Sequence, residues 1–228
     1  MSTGSILSEH ADAILASKAT AVVRTLEKMK QPTSPLSICL AAFVAVAANA
    51  QADAVCPGEQ LATPAGCELS FGDIRFTMHA TAEGSINQLK IQPSGLAVDN
   101  SEIGAELDGT AYRAELADLD SNGWPEVYVY VSSAGSGSYG SLAAYAVNNG
   151  KSITPIYLTP LEQSPEAMEG YMGHDEFNVV ENRLVRRFPI YRKDDTNAAP
   201  SGGTRQLQYR LEPGEAGWVL TLDRTVSY

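Results

Sequence analysis

Apolar and polar positions alternate in short bursts along most of this chain, and the sharpest burst is Glu126–Val131. Val127, Val129 and Val131 fall on one side of a pleated strand there, and Tyr128 and Tyr130 fall on the other. Ile74, Phe76, Met78 and Ala80 alternate in the same way with Arg75, Thr77 and His79. Tyr112–Ala117 reads as a further strand, separated from Glu126–Val131 by the turn-rich Asp118–Gly123. Leu142–Val147 and Ile153–Leu158 flank Asn148-Asn149-Gly150-Lys151, and Asn-Gly between apolar runs predicts a tight hairpin. Phe177–Val180 pairs with Leu184–Tyr191 around Glu181-Asn182-Arg183, and Gln206–Leu211 pairs with Trp218–Val226 around Pro213–Gly217. Trp218 and Phe188 read as core. Thr159–Gly173 carries two prolines and no period, so it is a long loop or a single helical turn. Many short strands joined by tight turns predict an all-β fold, an antiparallel sandwich or barrel.

The segment after Val131 breaks this pattern. Ser132–Gly140 holds Ser132, Ser133, Ser136 and Ser138, Gly135, Gly137 and Gly140, and one large side chain, Tyr139. Such a loop has no apolar area to bury, so packing does not account for it. A stiff strand pair that presents a polar loop with one aromatic residue suits insertion into another molecule's cleft.

The N-terminal region has a different character. Lys28 and Lys30 precede an uncharged apolar run, Leu36–Ala48, and Ala48-Asn49-Ala50 and Ala50-Gln51-Ala52 fit the small-x-small cleavage rule. Residues 29–52 therefore read as a cleaved signal peptide, too short in its apolar run for a membrane span. Residues 1–28 lie upstream of the natural start Met29-Lys30 and read as an extension outside the fold. Neither Cys39 nor Cys56 has the small preceding residues of a lipidated cysteine, so the mature chain, residues 53–228, is expected to be a soluble single domain in the periplasm.

Charge and cysteines sharpen the picture. Residues 1–52 hold four of the 16 Lys and Arg and three of the 27 Asp and Glu, which leaves 12 against 24 and a net charge of −12 on residues 53–228. Such a surface repels nucleic acid and anionic membranes and attracts a cationic partner. Cys56 and Cys67 remain after cleavage and are expected to form one disulfide in an oxidising compartment.

Several motifs invite a chemical reading. Gly135-Ser-Gly137-Ser-Tyr-Gly140 matches G-x-G-x-x-G, but a strand rather than a helix is expected next, so a dinucleotide loop does not follow. No serine sits in a G-x-S-x-G elbow. Asp118, Asp120 and Asn122 before Gly123 have the oxygen spacing of half a calcium loop, yet the acid expected six residues after the glycine falls on Val129; Glu126 comes closer, as in shorter calcium loops. The favoured reading is a turn in which Asp and Asn bond their own backbone. His174 beside Asp175 and Glu176 could serve an enzyme, but a structural turn or a histidine satisfied by a neighbouring acid is favoured. Arg186 and Arg187, with Arg183 and Arg192 near them, are expected to pair with carboxylates. No cofactor is expected.

The stretches PEVYVYVSSAGSGSYGSLAAY, GYMGHDEF, LVRRFPIY and GEAGW resemble the periplasmic inhibitors of invertebrate-type (i-type) lysozyme. The resemblance covers the second half of the chain closely and the region from Cys67 more loosely. It implies a β-sandwich that forms a homodimer, has no enzymatic activity, and inserts a short S-G-x-Y loop into the lysozyme cleft. That loop maps onto Ser136-Gly137-Ser138-Tyr139, with Ser136 and Tyr139 as the inhibitory side chains. The N-terminal third departs most from the family. A second reading is an exported calcium- or glycan-binding module that uses Asp118–Asn122.

Overall fold

A computed structural model describes residues 55–228. The expected signal peptide, the extension before it and Cys39 lie outside the described residues. The fold is all-β, in two sheets. The smaller is an antiparallel meander of β2 (Cys67–Phe71), β3 (Ile74–Ala80), β4 (Ile86–Ser94) and β5 (Ile103–Asp108). The larger contains β1 (Val55–Pro57), β6 (Thr110–Ala117), β7 (Glu126–Ser132), β8 (Gly140–Asn148), β9 (Ser152–Leu158), β10 (Glu176–Val180), β11 (Arg183–Pro189), β12 (Thr204–Gly214) and β13 (Gly217–Ser227). Their spatial order is β1-β6-β7-β8-β9-β13-β12-β11-β10. Every neighbouring pair is antiparallel except β13 and β9, which run parallel through Trp218–Ile156, Val219–Tyr157 and Leu220–Leu158.

The strand β7 explains the architecture, because both of its faces are buried. Val127, Val129 and Val131 pack with Leu69, Phe76, Met78, Leu89 and Ile91, which joins the two sheets as a sandwich. Tyr128 and Tyr130 point to a second core with Phe177, Leu184, Phe188, Leu207, Tyr209 and Leu220, all from the far half of their own sheet. The large sheet therefore curls back on itself. The Tyr130 ring lies on Phe177 at 5.7 Å between centroids and 4° between planes. Arg113 donates from Nη2 to the Phe177 carbonyl (2.6 Å) and Asn178 Oδ1 (2.9 Å), and the Val179 N–H donates to Glu115 Oε1 (2.8 Å), so side chains of β6 close the sheet onto β10. Burying a large apolar side chain contributes about 1.5–3 kcal/mol, and β7 does so on both of its faces.

The turns follow the sequence. Asn149 and Gly150 take positive φ (51° and 66°), and the Lys151 N–H closes on the Asn148 carbonyl at 2.9 Å, as the Asn-Gly hairpin requires. Thr159–Gly173 holds a 3-10 turn (Leu161–Gln163) and one helical turn (Pro165–Met168). Cys56 and Cys67 are bonded, with Cα atoms 6.0 Å apart, and the bridge ties β1 of one sheet to β2 of the other. Phe188 is buried; Trp218 is half-buried and donates from Nε1 to Asn148 Oδ1 at 2.9 Å.

Candidate functional site

The loop Ser132–Gly140 joins β7 to β8, whose ladder runs from Glu126–Ala146 to Ser132–Gly140. The pairing continues one step into the loop. The Ser133 N–H donates to the Tyr139 carbonyl (2.8 Å), and the Tyr139 N–H donates to Ser133 Oγ (3.0 Å). Ser138 holds a positive φ of 42°, in the left-handed region that tight turns use.

Beyond the strand pair that carries it, the loop is braced by two other segments. Asn197 donates from Nδ2 to the Ser136 carbonyl at 2.7 Å. The His174 N–H donates to the Gly137 carbonyl at 2.7 Å. The Gly140 N–H donates to Asp175 Oδ2 at 2.7 Å. A bare backbone makes this contact possible: a Cβ on Gly173 would strike the Gly137 carbonyl, and Gly173 also holds a φ of +90°. The contacts to Ser136, Gly137 and Tyr139 use backbone atoms and the tyrosine ring; the hydroxyls enter none of them. Ser136 is exposed and Tyr139 is 50% exposed.

Tyr139 stands edge-on against Tyr171 (centroids 5.6 Å apart, 77° between planes), and Tyr171 stands edge-on against the buried Phe188 at 4.7 Å. Beneath them lies a buried charge pair. Arg186 donates from Nε to Asp175 Oδ1 at 2.7 Å, with side-chain exposures of 7% and 0%. The Tyr171 hydroxyl donates to Asp175 Oδ2 (2.6 Å) and accepts from Arg186 Nη2 (2.7 Å). The guanidinium also lies over the rings of Tyr171 and Phe177, at 5.1 and 5.4 Å. Burial raises the Tyr171 phenol well above its ordinary value. Burial alone would lower Arg186, but the bond and charge of Asp175 outweigh it and hold the guanidinium charged. The expected pairing of Arg186 with a carboxylate is therefore present, and that carboxylate also receives the loop.

His174 does not pair with Asp175 or Glu176. Its φ is 58°, its Nε2 lies 3.1 Å from Asn197 Oδ1, and its ring stacks on Tyr191 at 6.3 Å. Of the two favoured readings the structural turn is the one present; the ring's partner is an amide, and Asp175 accepts instead from Arg186, Tyr171 and the Gly140 N–H.

The Asp118–Gly123 segment lies at the opposite end of β7. It is the turn the sequence favoured: Asp118 accepts from the Asn122 and Gly123 N–H groups (both 2.9 Å), and Asn122 Oδ1 accepts from the Trp124 N–H at 2.7 Å. Glu126, the first residue of β7, adds a carboxylate beside Asp118 and Asp120. Its burial, with the two aspartate charges adding to it, pushes Glu126 up to about 8.

Asp175, Arg186, Tyr171 and Asn197 are the site residues that sequence reasoning did not assign to the loop. The polar run Gly173–Phe177 held a signal for Asp175 and the arginine pair one for Arg186, while Tyr171 and Asn197 lie outside both. Fold and site define an all-β protein, stapled by one disulfide, that presents a braced Ser/Gly loop with a half-exposed tyrosine. Comparison of the chain with protein-family models, with curated proteins and with solved structures finds no match.

Proposed function

We propose that the chain is an exported, periplasmic inhibitor of i-type lysozyme that blocks the enzyme's cleft with Ser136-Gly137-Ser138-Tyr139. The observation that carries this reading is the state of Tyr139: its backbone is pinned, its ring is half exposed, and its hydroxyl is uncommitted. Preorganisation matters because ordering a flexible Ser/Gly loop on binding would subtract from affinity. A tyrosine offers large contact area for few rotatable bonds. A glycosidase cleft holds two carboxylates around the scissile bond, and the Ser136 and Tyr139 hydroxyls are donors suited to them. The charge of −12 on residues 53–228 favours encounter with a cationic glycosidase. In this mechanism no bond is broken. The homodimer belongs to the same proposal, as part of what the family resemblance implies.

Lysis of cell-wall substrate by i-type and other lysozymes, with and without the chain, tests the proposal. Ser136→Ala and Tyr139→Ala are each expected to keep the melting temperature and weaken i-type inhibition by roughly 30-fold, the equivalent of about 2 kcal/mol at a hot spot. Tyr139→Phe separates hydroxyl from ring. Undiminished inhibition by both alanine variants rejects the loop mechanism, and absence of inhibition by the parent chain rejects the function.

A further inference from the structure

The junction between β6 and β7 gathers three carboxylates. One oxygen each from Asp118, Asp120 and Glu126 lies within 4.8 Å of the others. Two oxygens on opposite sides of one calcium ion stand about 5 Å apart, since each bond is roughly 2.3–2.6 Å. One ion can therefore reach all three. Among the described residues, no lysine or arginine forms an ion pair with any of them.

Hydrogen bonds within an acidic turn do not by themselves indicate a ligand. Glu126 is the independent observation. It is 1% exposed, yet one of its oxygens, Oε1, has no hydrogen-bond partner among the described residues. The other oxygen accepts from the Leu119 N–H at 2.8 Å and faces the Tyr128 hydroxyl at 3.4 Å. A buried glutamate with one oxygen unpartnered, in a side chain that also approaches two more carboxylates, costs stability that a cation would restore.

We propose that Asp118, Asp120 and Glu126, with the Asn122 side-chain carbonyl, bind one divalent cation of the calcium class. Asp118 and Asp120 each accept N–H groups from the turn, and every such oxygen keeps a second lone pair for a metal. Asn122 Oδ1, which accepts from Trp124, keeps one as well. Backbone carbonyls and water complete the shell of hard oxygens that calcium takes and that softer metals do not require. The expected glutamate partner was missing from the ordinary twelve-residue spacing because here the acid comes from the first residue of the next strand. The ion would clamp the entry of β7 to the end of β6. The tyrosine loop leaves the other end of β7, roughly 20 Å away, so the site acts on stability and is independent of the inhibitory reading.

The test uses the full chain, stripped with a chelator and then titrated calorimetrically with calcium chloride, with melting followed in parallel. Saturable binding of one ion and a melting temperature raised by about 3 °C or more at millimolar calcium are expected. Glu126→Gln and Asp120→Asn each weaken calcium binding by about tenfold or more. In chelator, Glu126→Gln melts no lower than the parent, because its amide can donate to the neighbouring aspartates, while in calcium the parent is the more stable of the two. Asp120 is partly exposed, so its variant tests the site without risk to the core. No binding heat and no melting shift at millimolar calcium overturns the proposal, as does binding that is unchanged in both variants.

Discussion

Replacing Arg186 by methionine is the most informative single perturbation of the loop's foundation. Methionine keeps an unbranched apolar side chain in place but removes the guanidinium that lies over Tyr171, Phe177 and Phe188. The Asp175 side chain, fully buried, would then keep only the Tyr171 hydroxyl and the Gly140 N–H as partners. Leaving one member of a buried ion pair uncompensated costs about 3–5 kcal/mol. For a chain of this size each kcal/mol corresponds to about 2–4 °C, so melting should fall by roughly 6–20 °C in calorimetry at neutral pH. Adding Asp175→Asn removes the stranded charge. The double variant should be more stable than the sum of the two single losses by at least about 1.5 kcal/mol. Arg186→Met should also weaken lysozyme inhibition, because Tyr171, on which Tyr139 rests, loses a bond from Arg186. A loss below about 1 kcal/mol, or strictly additive singles, would refute the claim that this pair is the foundation of the loop.

Three further outcomes follow from the same geometry. Gly137→Ala places a Cβ 2.5 Å from Tyr139 Cε2 and must turn the ring, so inhibition should weaken severalfold while melting, which depends on the cores, shifts by less than about 3 °C; inhibition at the parental level counts against the tyrosine's placement. Replacing Cys56 and Cys67 together by alanine removes a short covalent loop worth about 2–4 kcal/mol and should lower melting by roughly 4–16 °C, read by the same calorimetry. Burial raises the phenols of Tyr128, Tyr130 and Tyr171 above the ordinary 10.0, so each contributes stability that is complete below about pH 10 and is lost as pH climbs through the folded-state values. Their phenolate absorbance should emerge together with loss of near-ultraviolet circular dichroism; ionisation of nearly all ten tyrosines with the dichroism intact would contradict this.

The strands that the sequence disclosed are those whose two faces differ in a simple way or whose turns are chemically marked. The alternation of β3, the two-faced β7 and the Asn149-Gly150 hairpin are such cases. The strand β4 was harder to read because its inward positions are Asn87, Leu89, Ile91 and Pro93, so half of the buried face carries no apolar signal of the ordinary kind. Asn87 is tolerated there because it is saturated: Nδ2 donates to the Gly84 and Gly109 carbonyls, and Oδ1 accepts from Thr81 and Glu83. The parallel pairing of β13 with β9 left no local trace either. Its partners are brought together only after β10, β11 and β12 have run their course, and no turn residue encodes a contact of that range.

The candidate loop divides in the same way, and the division explains how such a loop can be stiff. Its Ser/Gly composition is local and was visible at once, and composition of that kind taken alone describes a flexible segment. What holds it is remote: Asn197 reaches Ser136 across 61 residues, and Asp175 reaches Gly140 across 35. Both contacts end on the loop's backbone rather than on its side chains. Ser133, Gly137 and Gly140 keep structural duties, but the side chains of Ser136 and Tyr139 carry none of these bonds and are free to be chosen for what they meet outside. Rigidity supplied by neighbours and chemistry displayed by the loop are separate properties of separate segments. The two should therefore fail separately: Tyr139→Ala at unchanged stability, and Arg186→Met with stability and inhibition lost together.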